Sequence, residues 1–166
     1  MSISVQTPVQ IAWVTRDLDS TESALTALLG ARKWVRMAAV HFSPDTCTHR
    51  GAPADFVADI SLSYVGDMQL ELIKPIRGES AYSEFLHDQG PGLHHVCKRV
   101  DDPEAFATAV ADAEATGAEV VTQGVMPGGI AFAYLSVPAA GVPYIEIAYV
   151  PQEIQAFFDH IKKEQA

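Results

Sequence analysis

The chain has 166 residues, of which 48% are hydrophobic and 19% charged, and its formal net charge is −10 at pH 7. This length and apolar fraction indicate a globular domain with one core, and they exclude disorder, collagen and coiled coil as the main state. The acidic balance argues against a nucleic-acid partner, which requires clustered Lys and Arg.

The first half of the chain predicts the element order β-α-β-β-β. An amphipathic helix is expected from about residue 17 to Leu29, because its apolar residues recur at helical spacing and Gly30 follows at the C-cap position. Gly66 marks a hairpin turn between the last two strands. Predicted strands cover residues 9–14, 33–42, 56–64 and 68–73. Residues 43–55, rich in turn-forming residues, are predicted as a loop.

After a connector, the same order starts again in the second half. Pro103 is suited to the first turn of a helix that Gly117 ends. Predicted strands cover residues 93–100, 119–123, 130–137 and 142–149. A final amphipathic helix places Ile154, Phe157, Phe158 and Ile161 on one stripe, which predicts packing in the core or at a dimer interface.

Residues 128–145 carry no charged side chain and approach the length of a bilayer span. The stretch contains Gly128, Gly129, Pro138, Gly141 and Pro143, which interrupt a helix. It is therefore predicted to form two short strands joined by a turn, and no membrane partner is expected.

The internal repeat is the most informative feature of the sequence. The strand Gln69–Ile73 in the first half parallels Tyr144–Ala148 in the second, and Gln10 in the first strand corresponds to His95. Two such halves side by side predict an α+β fold, a half-open β cup with helices outside. We expect one domain over residues 1–166, because each half alone is too small for a good core. Its parts are module one (about 8–76), connector (77–91), module two (about 92–150) and C-terminal helix (152–165).

Glu71 and Glu146 are carboxylates in the middle of strongly apolar strands, at matching positions of the repeat. Strand alternation could turn either of them to solvent, but neither shares its face with ordinary solvated residues. A buried carboxylate is normally paired or bound to a metal, and two at repeat-related positions favour that alternative.

His95 and Gln10 occupy the second pair of matching positions, and neutral imidazole is the commonest protein metal ligand. A lone strand histidine is more often structural, but here it joins two carboxylates and an amide. The four side chains would face inward from four strands, two in each module. One nitrogen with several oxygens suits a single divalent ion, either Zn, Co, Ni or Mn.

The repeat, together with Leu70-Glu71-Leu72-Ile73-Lys74-Pro75 and Gly92-Leu93-His94-His95-Val96, resembles the vicinal oxygen chelate superfamily. This group includes glyoxalase I, methylmalonyl-CoA epimerase, extradiol dioxygenases and bleomycin-resistance proteins. The resemblance covers nearly the whole chain and is strongest to the epimerase and glyoxalase branches. It implies that His95, the second His of its pair, is the ligand, and that Gln10, Glu71, His95 and Glu146 form the metal site.

The resemblance also implies a chemistry, in which a metal-stabilised enolate forms from a small carbonyl or thioester substrate. Glu146 would act as the base, with Glu71 as its symmetric partner, which predicts an isomerase, epimerase or lyase. Two alternatives stay open. One is a binding protein of the resistance type without turnover. The other is a ring-cleaving dioxygenase, which Gln10 disfavours, because it stands where the superfamily usually has a His and such Fe(II) sites use two His and one carboxylate.

Four further residues, Gln69, Cys97, Arg99 and Tyr144, share the cup face and are predicted substrate contacts or pocket lining. His94 is predicted to point to the opposite face and pack against a helix. His41, Asp45 and His49, in or beside the 43–55 loop, are either solvated or supply an acid or base from a covering loop.

The compartment and the oligomeric state are expectations of a weaker kind. Cys47 and Cys97 lack CxxC spacing, which indicates a reducing compartment and no disulfide framework. Residues 1–7 have neither the basic nor the apolar region of a secretory signal, so a cytoplasmic protein is expected. The resemblance implies a homodimer, because members of the superfamily often dimerise, with a closed monomer as the open alternative.

Overall fold

The structure, a computed structural model, describes residues 6–166. Met1–Val5, which belong to the N-terminal stretch predicted to lack a secretory signal, lie outside the described residues. The first half and its connector comprise β1 (Gln10–Val14), α1 (Leu18–Leu29), β2 (Val35–Phe42), β3 (Cys47–His49), β4 (Ala52–Pro53), β5 (Phe56–Val65), β6 (Met68–Arg77) and α2 (Ala81–Gln89). The second half comprises β7 (Gly92–Val100), α3 (Pro103–Ala115), β8 (Glu119–Val125), β9 (Ala131–Ser136), β10 (Tyr144–Tyr149) and α4 (Gln152–Lys163).

The helices begin and end where local chemistry requires. The Asp17 side chain accepts a hydrogen bond from the Ser20 backbone N–H at the start of α1, and Gly30 ends that helix in the left-handed region with φ 83°. Asp102 caps α3 in the same way, and Pro103 occupies its first turn, where a missing N–H leaves no hydrogen bond unmade. The predicted helices are therefore confirmed.

The ten strands of residues 6–166 belong to one sheet in the order β2-β5-β6-β1-β7-β10-β9-β8-β3-β4. Within each half the first strand runs parallel to the last, β1 to β6 and β7 to β10. The two halves meet through the antiparallel pair β1 and β7. This arrangement confirms the α+β fold with two β-α-β-β-β modules that form a half-open cup.

The prediction of a plain loop over residues 43–55 was wrong. This segment contains β3 and β4, and it crosses from the edge strand β2 to pair β3 with β8 of the second half. A Cβ atom on Gly124 of β8 would lie 2.5 Å from the Thr46 carbonyl oxygen, so only glycine admits the crossing chain. Strands of three and two residues carry almost no periodicity. Pairing with β8 stabilises β3, and β4 in turn pairs with β3.

The core fills the concave side of the sheet. Phe42 and Phe56 stack with ring centroids 4.4 Å apart, and Tyr82 of α2 packs edge-on against both rings. Phe158 and Ile161 bury the inner stripe of α4 against this cluster, which confirms the core alternative for the C-terminal helix. A smaller cluster lies beneath α3.

The uncharged stretch 128–145 forms β9, a short 3-10 helix over Pro138–Ala140 and the start of β10, as predicted. Within residues 6–166, no helix is both long and apolar enough to cross a membrane.

Candidate metal centre

Eight residues on the concave face of four adjacent strands form two neighbouring rows. Strand pairing aligns the first row across β6, β1, β7 and β10, and it consists of Gln69, Gln10, Cys97 and Glu146. The second row lies two residues along each strand and consists of Glu71, Ala12, His95 and Tyr144. Exchange of the two modules maps Gln10 onto His95 and Glu71 onto Glu146. The repeat therefore places the four predicted ligands around one local axis.

Three of the four side chains converge on one nitrogen of the fourth, His95. Nε2 of His95 lies 2.9 Å from Oε2 of Glu146 and 3.4 Å from Oε2 of Glu71. Oε1 of Gln10 lies 3.2 Å from the same nitrogen. His95 is 1% exposed and Glu146 7%, so the cluster is withdrawn from bulk solvent.

These donors fit a divalent ion. Ligand atoms at about 2.0–2.3 Å from an ion stand roughly 3–3.7 Å from one another. The ligand atoms of Glu71, His95 and Glu146 all lie within 4.8 Å of one another. Three oxygens and one imidazole nitrogen are donors that Zn, Co, Ni and Mn accept, and the two carboxylates balance a charge of two. A metal at this position would satisfy groups that are otherwise costly to bury.

The electrostatics of the cluster reflect its burial. Burial alone would lower the pKa of His95, but the adjacent Glu146 and Glu71 carboxylates raise that pKa to about 9. Burial raises the pKa of Glu71, although His95 opposes the shift. With this pKa, His95 carries a proton at neutral pH, and that proton occupies the position on the ring at which an ion would bind.

The prediction that His94 points to the opposite face from His95 was wrong. Ala12 pairs with His95 and Trp13 with Leu93, so His94 is an extra residue in a β-bulge. The bulge breaks the alternation and brings the Nδ1 atoms of the two imidazoles to 2.9 Å. His94 does pack against a helix as predicted, through Tyr82 and Phe85 of α2. Burial lowers the pKa of His94 well below its usual value, so this imidazole is neutral.

A cavity of about 260 Å³ opens above the cluster, and most of its wall is apolar. Of the four predicted pocket residues, Cys97 and Arg99 line it, whereas Gln69 is fully buried behind Gln10. Tyr144 instead packs against His94 and borders a separate surface pocket with Arg50. Burial raises the pKa of the Cys97 thiol well above its ordinary value, so this side chain is a neutral wall residue.

Sequence reasoning missed much of the wall. Ile154, Phe157 and Phe158 of α4 close one side of the cavity. The Tyr134 ring lies tilted by 40° against the His95 ring with centroids 4.8 Å apart, and its hydroxyl lies 2.5 Å from that of Tyr82. Alternation along β9 places Tyr134 on the concave face, so the sequence contains a signal for this residue. The α4 residues required the tertiary position of the helix.

The candidate acids and bases of the 43–55 segment lie outside the cavity wall. Nε2 of His41 pairs with Asp55 at 2.7 Å on the exposed surface. His49 is half-buried and bridges Thr122 and Glu84, at 2.8 Å from each. Asp45 lies in the exposed turn before β3. The segment extends the sheet beyond β8 and does not cover the site.

A duplicated cup with imidazole and carboxylates on its concave face defines the vicinal oxygen chelate class of proteins. The sequence profile of the Glyoxalase/Bleomycin resistance protein/Dioxygenase superfamily matches residues 9–134. This chain belongs to that superfamily. No curated protein shows significant sequence similarity to it.

Solved structures share the fold at low sequence identity. The methylmalonyl-CoA epimerase of Mycobacterium tuberculosis is 18% identical, covers 94% of this chain and 96% of its own, and has a TM-score of 0.62. A variant of the Streptomyces coelicolor methylmalonyl-CoA epimerase in complex with 2-nitronate-propionyl-CoA is 20% identical, with coverages of 90% and 97% and a TM-score of 0.60. A hypothetical protein of Bacillus halodurans is 17% identical, with coverages of 90% and 97% and a TM-score of 0.60.

Proposed function

We propose that this protein is a divalent-metal-dependent isomerase, epimerase or lyase of the glyoxalase type, acting on a small carbonyl or thioester compound. The observation that carries the proposal is the convergence of Gln10, Glu71 and Glu146 oxygens within 3.4 Å of one imidazole nitrogen of His95. Membership of the superfamily supports it. A binding pocket of the same shape has no need for two buried carboxylates beside an imidazole.

Gln10, Glu71, His95 and Glu146 would hold the ion at the floor of the cavity. A bound divalent ion would polarise a substrate carbonyl and lower the energy of negative charge on its oxygen. Glu146 and Glu71 come from opposite modules and would stand on opposite sides of the reacting carbon of a bound substrate. A carboxylate on each side of one carbon can remove a proton from one face and return a proton to the other. Return to the same carbon gives an epimerase, and return to its neighbour gives an isomerase.

The cavity sets the size and polarity of the substrate. About 260 Å³ is at the lower end for a small-molecule site, so it accommodates an acyl or aldehyde-derived group and not a nucleotide. Side chains from β2, β5 and α4 make the upper wall apolar, which excludes water from a carbanionic intermediate. Several structures of similar fold are methylmalonyl-CoA epimerases, so a thioester with its acyl end in the cavity is one candidate substrate.

Elemental analysis of the purified protein beside Glu146→Gln tests the proposal. We expect about one divalent ion per chain in the wild type and a loss of at least tenfold in metal affinity in the variant. Exchange of the α-proton of methylmalonyl-CoA for deuterium in D2O, followed by NMR, would show proton removal and its loss in Glu146→Gln. Glu114→Gln, on the exposed face of α3, is the matched control and should behave as wild type.

The alternatives give different results in the same experiments. A resistance-type binding protein would take up small apolar ligands in the presence of EDTA and contain no stoichiometric metal. A dioxygenase would retain iron and consume oxygen, although one imidazole among the four donors does not match the usual two His and one carboxylate. Absence of a stoichiometric metal from the wild type would refute the proposal.

A further inference from the structure

Behind the candidate metal centre, two glutamine amides and an arginine form a buried chain of hydrogen bonds. Nε2 of Gln10 donates to Oε1 of Gln69 at 2.6 Å. Nη2 of Arg99 donates to the same oxygen at 3.2 Å. Nε2 of Gln69 in turn donates to the Tyr64 hydroxyl at 3.1 Å. Gln69 is fully buried and Gln10 is 7% exposed, so water does not compete for these groups.

The chemistry of arginine determines the direction of the whole chain. A guanidinium has five donors and no acceptor, so the atom of Gln69 that faces Arg99 must be its oxygen. The amide nitrogen of Gln69 then faces Tyr64, whose hydroxyl can accept. Because the Gln69 oxygen also faces Gln10, the near atom of Gln10 must be its nitrogen. The remaining atom of Gln10, its oxygen, is therefore the one directed at His95, at 3.2 Å from Nε2.

We propose that Arg99 and Gln69 are positioning residues that orient the Gln10 amide so that its oxygen faces the metal centre. An amide binds a divalent cation through its oxygen, and the reversed amide would present two N–H donors to the ion. The inference rests on the proposed function, since it assumes that Gln10 is a ligand. It assigns Arg99 a role that its place in the cavity wall alone would not suggest.

A second set of contacts keeps the guanidinium in place. Nη1 of Arg99 donates to the Gln155 side chain of α4 at 3.1 Å, and the guanidinium lies 5.1 Å from the centre of the Phe158 ring. Arg99 is thus held from α4 on one side and from the sheet on the other. The fixed cation keeps the Gln69 oxygen turned towards it.

The test compares metal affinity in Arg99→Met with that in wild type, measured by titration of Zn²⁺ or Ni²⁺ into EDTA-treated, dialysed protein. We expect a loss of roughly 10- to 100-fold, as for other residues that orient metal ligands. Simple electrostatics predicts the opposite sign, because removal of a nearby cation should strengthen binding of a divalent cation. Arg99→Lys retains a donor without an acceptor and should recover most of the affinity. Gln69→Met is a second variant with the same expected loss.

The background Gln10→Glu provides the control for orientation. A carboxylate presents oxygen at both positions, so its affinity for metal does not depend on which way it is turned. In this background Arg99→Met should leave the metal affinity unchanged or raise it. An equal loss in both backgrounds, or no loss with Gln10 present, would overturn the inference.

A measurement without metal separates this inference from the proposed function. In 15N–1H spectra of EDTA-treated protein, the Gln10 side-chain NH2 should show slowed hydrogen exchange that disappears in Arg99→Met and Gln69→Met. If wild type binds no metal but this protection depends on Arg99, the proposed function fails while the orienting contact remains. If metal binds tightly and the protection is independent of Arg99, the positioning role fails alone.

Discussion

At the residue scale, a proton and the proposed metal ion would compete for the same nitrogen of His95. Nε2 faces oxygens of Glu146, Gln10 and Glu71 at 2.9, 3.2 and 3.4 Å. These acceptors stabilise an N–H at that position, and they are also the oxygens that a cation would bind. The Glu146 and Glu71 carboxylates outweigh the effect of burial and raise the pKa of His95 to about 9.

This competition predicts that metal affinity depends on pH. Below about pH 9 an incoming ion must displace a proton from His95, so the apparent association constant should rise about tenfold per pH unit up to that pH and then level off. Calorimetry of Zn²⁺ binding in buffers of different ionisation enthalpy should count about one proton released per ion near pH 7. An affinity independent of pH from 6 to 9 would contradict the assignment of His95 as a ligand.

Much of the site could be anticipated residue by residue from the repeat. Glu71 and Glu146, and Gln10 and His95, occupy related strand positions, and regular pairing carries that relation into space. The relation did not extend to His94, because a single extra residue in β7 reverses the alternation. The repeat also did not show which neighbours Gln69 and Tyr144 contact. Gln69 bonds to Gln10, whereas the repeat-related Tyr144 packs against His94, because side-chain contacts depend on tertiary neighbours.

At the scale of elements, a half-buried carboxylate joins α1 to the edge of the sheet. Glu22 accepts from Nε and Nη2 of Arg36 on β2 at 2.8 and 2.9 Å, and from the Ser61 hydroxyl of β5 at 2.7 Å. Burial raises the pKa of Glu22, but these donors outweigh it and hold that pKa below its usual range. Three polar contacts here supplement a helix whose exposed Leu28 contributes little burial.

The lowered pKa of Glu22 predicts an acid-sensitive contribution to stability. Because the group is more acidic in the folded protein, its contribution is complete above about pH 4.5 and is lost as pH falls through the folded pKa. Glu22→Gln should lower the free energy of unfolding by roughly 1–2 kcal/mol at pH 7. Urea denaturation at pH 7 and pH 3 checks this, and the difference from wild type should shrink at pH 3. Glu164→Gln, which removes only an exposed pair with Lys33, should have little effect at either pH.

Helices were predicted more reliably than short strands for a physical reason. Caps such as Asp17 and Gly30 act within a few residues, so the sequence around α1 contains its own boundaries. The strands β3 and β4 have no such local signal. β3 pairs with β8, more than seventy residues away along the chain, and β4 pairs with β3.

At the scale of the whole molecule, the sheet is continuous through both modules. The pair β1 and β7 joins them at the centre, and the segment over residues 43–46 brings β3 of the first half to the edge of the second. Each half therefore depends on the other for both a central and an edge neighbour. One domain over the whole chain stays a prediction, which the unfolding experiment below tests.

The continuous sheet predicts a single cooperative unfolding transition. Trp13 and Trp34 both lie in the first module, so tryptophan fluorescence reports on that half, whereas far-UV circular dichroism reports on both. The two signals should change at the same urea concentration. Separately expressed chains 1–78 and 79–166 should lack cooperative unfolding on their own and regain it when mixed. Two resolved transitions in the intact chain would show that the modules fold independently.

The division of the centre between two related halves has a genetic consequence. Two separate copies of one module, assembled about a true two-fold axis, would have to present identical side chains from both. Joining the copies in one reading frame removes that restriction, because a codon change then alters a side chain on one of the four strands of the centre alone. Here both halves carry a carboxylate at the matched position, Glu71 and Glu146. The other matched positions differ: His95 corresponds to Gln10, and Tyr144 corresponds to Gln69. A protein of this design can diverge in specificity one strand position at a time while both carboxylates stay in place.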